Sequence, residues 1–109
     1  MLREVIAAYE TTVLNPCQDE YYIARPGQCL CCPLTALALA EGAVRQHDPR
    51  LGHVVYSWAV ARYGKSWVLG FQDGWDWRWP GPAAPVNDFA YQAGFEAGKA
   101  MFKALILSA

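Results

Sequence analysis

The fold of this 109-residue chain turns on residues 51–75, LGHVVYSWAVARYGKSWVLGFQDGW. With a period of 3.6, Val55, Trp58, Val68 and Phe71 turn inward while Arg62, Ser66 and Asp73 fall near one polar stripe. Gly64 then closes one helix and Ser66 opens the next. With a period of two, residues 53–63 and 66–71 form a hairpin around Gly64-Lys65, rich in β-branched and aromatic side chains. Strict alternation fails, because Val54, Val55, Trp58, Ala59, Val60 and Ala61 would cover both faces of a strand. Helices are therefore expected: a mainly α, compact single domain (1–109) of four or five helices, the alternative being α+β with a hairpin at about 53–71.

The flanks agree with a helical chain. Leu2, Val5, Ile6, Tyr9 and Val13 have helical spacing, and Asn15-Pro16 stops that helix because the residue before proline avoids helical geometry. Residues 17–28 show no sustained period, and Arg25-Pro26-Gly27 reads as a turn. Pro33 suits a first helical position, and the apolar run behind it predicts a central core helix over 33–45. Asp48-Pro49 is a second start signal. Prolines 80, 82 and 85 make a stiff connector over 80–86.

Asn87 or Asp88 caps a last helix whose Gln92, Glu96, Lys99 and Lys103 draw one polar stripe. Ala90, Gly94 and Gly98 form a strip of small residues on it. Each helical glycine costs about 1 kcal/mol relative to alanine, so two of them four apart announce a close backbone, either in the same chain or in a homodimer. No internal repeat is evident.

Composition narrows the function. Nine basic and ten acidic side chains give a net charge of −1 with no cationic cluster, which argues against nucleic acid as a partner. Arg3 and Glu4 interrupt any secretory leader, and the longest apolar run, residues 30–40, contains Pro33 and is too short for a bilayer. A soluble cytoplasmic protein with no membrane contact is expected. Only 17% of residues are charged, and such a surface favours association with a partner.

Four cysteines invite two chemical readings. Cys29 and Cys32 have the two-residue gap of a zinc grip that Cys17 with His47 or His53 could complete, giving a small zinc-stabilised domain. Alternatively Cys31 or Cys32, at a helix start, is the nucleophile of a thiol enzyme with His53 and Asp73, and Gln28 supplies an oxyanion contact. Only one zinc-type pair is present, and so short a chain scarcely frames a substrate cleft. The cysteines are therefore expected to serve as small core hydrophobes, with no catalytic residue, metal or cofactor.

The remaining feature is GWDWRWPGP, residues 74–82. If extended, Trp75, Trp77 and Trp79 share one face of a ribbon, with Asp76 and Arg78 on the other. Three indoles exceed what a small core absorbs, and tryptophan and arginine are enriched at interface hot spots. The expected contact set is Trp75, Trp77 and Trp79 as anchors with Asp73, Asp76 and Arg78 at the rim, on a non-catalytic protein-binding module.

CCPLTALALA (31–40), VLGFQDGWD (68–76) and FAYQAGFEAGKAMFKAL (89–105) resemble small proteins of bacteria and their phages that carry CPLTAV-like, GF-DG and YxxGxxxG-type motifs. The resemblance covers about a third of the chain. It implies a mostly helical domain without established catalytic residues, and an inhibitor or adaptor acting on a host protein such as a defence nuclease.

Overall fold

The computed structural model describes residues 1–25, 28–78, 80 and 84–107, with backbone only at 24, 25 and 28–30. The chain is mainly α. Among the described residues the helices are α1 (Leu2–Thr12), α2 (Pro33–Ala40), α3 (Leu51–Tyr63), α4 (Lys65–Asp76) and α5 (Phe89–Phe102), and three short strands, β1 (Asn15–Pro16), β2 (Tyr22–Arg25) and β3 (Gln28–Cys31), lie between α1 and α2. A π-helical turn, Lys103–Leu107, extends α5. No described helix is long and apolar enough to cross a membrane. The chain divides into two compact units, Met1–Ala59 and Val60–Ala109.

In the first unit α1 packs on α2, whose residues from Pro33 to Ala38 are all buried. The helix predicted over 33–45 stops at Ala40 because Gly42 takes the left-handed φ of 76°, a conformation a glycine adopts without steric cost. Residues 17–28, read as aperiodic, contribute to a sheet of order β1-β3-β2, with β1 parallel and β2 antiparallel to β3. Pairing decides those strands, since four residues are too few for alternation to register. The Cys31 carbonyl anchors this sheet, accepting the Cys17 N–H at 3.1 Å and the buried Tyr9 hydroxyl at 2.7 Å. Asp48 caps the turn into α3 by accepting the Arg50 N–H at 2.8 Å.

Residues 53–71 are helical, so the hairpin alternative is overturned. Val55, Val68 and Phe71 are buried as the helical period requires, and Gly64, at φ 89°, makes the break between α3 and α4.

The second unit is built on a helix pair without side chains at its seam. Gly70 faces the Tyr91 carbonyl and Gly74 the Phe95 carbonyl, while Gly94 faces the Trp67 carbonyl and Gly98 that of Phe71. At each of these glycines a Cβ would overlap the facing backbone oxygen. The facing positions climb together, so α4 and α5 run parallel and closer than the usual spacing of about 8–10 Å between helix axes. Each glycine thereby aims a Cα–H at a carbonyl, a contact of about 0.5–1 kcal/mol.

The two halves of the seam are equivalent. Positions 67, 70, 71 and 74 correspond to 91, 94, 95 and 98, a constant offset of 24 (94 − 70, 98 − 74), and GFQDG (70–74) answers GFEAG (94–98). The chain thus does contain an internal repeat, five residues long, related by a local two-fold. The backbone expected near Gly94 and Gly98 is that of α4, and the homodimer seam proposed for the same face is corrected accordingly, because α4 fills it.

Alanine should be intolerable at these positions. Gly94→Ala or Gly70→Ala gains about 1 kcal/mol of helix propensity but must push two backbones apart, so a net loss of at least about 2 kcal/mol is expected in urea unfolding. The control is Gly42→Ala, which meets no atom within 4 Å and is subject only to the strain of its positive φ.

Candidate functional site

Over residues 74–78 the tryptophan segment is not a ribbon. Helix α4 continues through Asp76, because Trp67, Phe71 and Trp75 recur at a spacing of four and Gly74 is needed opposite Phe95. Trp75, expected as an exposed anchor, is 2% exposed and packs edge-on against Phe102 at 5.8 Å. Trp79 lies outside the described residues. Trp77 alone of the described indoles in this segment is presented outward, 53% exposed.

Trp77 closes α4 in an unusual way. Its φ and ψ are 56° and 39°, the left-handed region, at a position where helices normally place glycine. The Arg78 N–H reaches back to the Asp73 carbonyl at 3.0 Å and that of Trp77 to the Gly74 carbonyl at 3.4 Å, so the end is a Schellman motif with a tryptophan in the glycine slot. Left-handed geometry costs a residue bearing a Cβ about 1–2 kcal/mol. The indole leans edge-on against Phe102, ring centres 5.3 Å apart, and one helical turn beyond Phe102 the π turn exposes Ile106 and Leu107.

Asp73, expected at the rim, is committed internally: its carboxylate accepts the Tyr91 hydroxyl at 2.5 Å, tying α4 to α5 beside the glycine seam. Asp76 is half-buried and Arg78 exposed, one on each side of Trp77 in the chain. Ala90 is half-buried, while Gly94 and Gly98 are buried in the seam. Beside α5 an apolar groove of about 180 Å³ is lined by Pro80, Val86, Tyr91, Gln92, Phe95 and Glu96. Phe89 is 84% exposed, because the buried face of α5 follows Tyr91, Gly94, Gly98 and Met101. Phe102 was not singled out by sequence, although its spacing of four from Gly98 puts it on that same face.

The described thiols, Cys17, Cys31 and Cys32, are buried. Cys31 has no exposed surface, and Cys32 is nearly buried with its sulfur 3.4 Å from the Thr35 hydroxyl. The Cys17 sulfur approaches the Glu20 carbonyl at 3.5 Å, while His47 and His53 are exposed. Among the described residues no group of three His, Cys, Asp or Glu could hold a metal ion, and the Cys29 side chain lies outside them.

No family model, curated protein or solved structure matches this chain.

Two buried phenols give the fold a pH dependence. Burial first, then the bond to Asp73 and its charge, hold the Tyr91 hydroxyl above the ordinary phenol range, and burial does the same for Tyr9. Both folded values are raised, so their stabilisation is complete below the unfolded phenol value of about 10 and is lost as pH rises through the folded values. Tyr91→Phe should cost about 1.5–3 kcal/mol in urea unfolding at about pH 7 by removing a bond to a charged acceptor. It should also make the loss of stability above about pH 10 shallower than in the unsubstituted protein.

Proposed function

We propose that the protein is a non-catalytic protein-binding module, an inhibitor or adaptor of phage type, that inserts Trp77 into an apolar pocket of another protein in the cytoplasm. The observation that carries this reading is the exposed indole on left-handed backbone. A strained, solvent-facing tryptophan at a helix end has no folding advantage over glycine, and such outliers cluster where a surface is used. Phe102 backs the indole edge-on, and Asp76 and Arg78 supply charges of both signs beside it in the chain. A buried aromatic centre with a polar rim is the anatomy of an interface hot spot. Trp75 supports this surface from beneath as a core residue. The resemblance of the three motifs to small bacterial and phage proteins makes a host protein, such as a defence nuclease, the first partner class to test.

The discriminating variant is Trp77→Gly. Relief of the left-handed penalty, about 1–2 kcal/mol, offsets loss of the edge contact with Phe102, about 0.5–1.5 kcal/mol. The melting temperature should therefore stay within about 5 °C of the unsubstituted protein. Used as bait in lysate of the source cell, the variant should lose whatever single protein the unsubstituted chain captures stoichiometrically. An unfolded Trp77→Gly, or an unchanged captured set, would remove the indole from the interface.

A further inference from the structure

The first unit carries an apolar line that its own core does not use. Val5, Ala8 and Tyr9 of α1 are buried, whereas Leu2, Ile6 and Val13 are 40%, 41% and 84% exposed. At 3.6 residues per turn Leu2 and Ile6 lie about 40° apart around the helix axis and form one stripe, and Val13 stands exposed at the end of the helix. Val13 ends α1 with φ 56°, a left-handed conformation that a β-branched residue rarely takes.

Charge says what fits this stripe. Arg3 and Glu10 are both exposed, and being seven residues apart they share the flank of the stripe that faces away from the core. Among the described residues neither takes part in an ion pair, while the neighbouring Glu4 is held by the amino terminus at 2.9 Å. In an antiparallel pair of helices related by a two-fold axis, like flanks meet and every contact occurs twice. With the axis between Ile6 and Ala7, Arg3 of each copy stands opposite Glu10 of the other. Ile6 then packs close to Ile6 of the second copy, and Leu2 lies toward its Val13. The face is therefore complementary to itself in both polarity and charge.

We propose that α1 is a self-association surface, whose occupant is α1 of a second copy of this chain in antiparallel register. A single eleven-residue helix offers far less than the roughly 1,200–2,000 Å² of a stable complex, so the dimer is weak and concentration-dependent. This surface belongs to the first unit, and the proposal does not depend on the function proposed for Trp77.

Sedimentation equilibrium on the full chain up to about 1 mM, a range suited to weak association, tests it with Arg3→Glu, Glu10→Arg and the double variant. The unsubstituted chain should dimerise, less so at high salt. Each single substitution sets like charges against each other twice and should weaken the dimer at least about tenfold, and the double variant should restore it. A monomer at all concentrations, a dimer indifferent to the single substitutions, or a double variant no tighter than the singles would each overturn the proposal. If a single variant loses its helical circular dichroism, Ile6→Glu, which leaves Arg3 and Glu10 in place, substitutes for it; a dimer that survives Ile6→Glu likewise overturns the proposal.

Discussion

Contact between glycine Cα–H groups and carbonyl oxygens across α4 and α5 is the constraint on which the second unit depends. Four glycines, two on each helix, remove every side chain from the seam, and the backbones close until each Cβ position is occupied by an oxygen of the other helix. Such closeness forgoes ordinary side-chain burial, so the apolar surface has to be recovered beside the seam. Trp67 stacks on Phe71 at 5.2 Å and Tyr91 on Phe95 at 6.3 Å, equivalent pairs under the local two-fold. Trp75 and Phe102 then close the far end.

The same constraint produces the exposed indole. Gly74 has to remain helical to meet Phe95, so α4 cannot end before Trp75, and the reversal that frees the chain falls on Trp77. The Asp73–Tyr91 bond ties the helix down one turn earlier. Rigid support followed immediately by strained, exposed backbone is a geometry that presents a large side chain in one orientation, which lowers the entropic cost of binding. The binding reading proposed for this surface follows from that economy of motion.

Much of the architecture was legible in the sequence because helical periodicity is strong in the long segments. The capping residues Asp48 and Asp88, the break at Gly64 and three of the four inward residues, Val55, Val68 and Phe71, stand where local chemistry put them, while Trp58 is only half-buried. What was missed depends on partners distant in sequence. Strands β2 and β3 are too short to declare a period, and they exist through pairing with each other and with β1. Trp75, Trp77 and Trp79 alternate in sequence, but Trp75 also completes a spacing of four with Trp67 and Phe71 that Gly74 enforces, and through Asp76 tertiary packing overrode the local pattern. The signal that would have found the seam was present: GFQDG at 70–74 and GFEAG at 94–98 are one motif written twice. Reading Gly94 and Gly98 without Gly70 and Gly74 left their neighbour unassigned.

The glycine seam can be tested most directly by nuclear Overhauser measurement on a sample mixed from isotope-labelled and unlabelled chains. Within a single labelled chain the account predicts strong contacts from the Hα protons of Gly70 and Gly74 to α5 and from those of Gly94 and Gly98 to α4, and no such contacts between labelled and unlabelled chains. Absence of these contacts within the chain, or their appearance between chains, would contradict it.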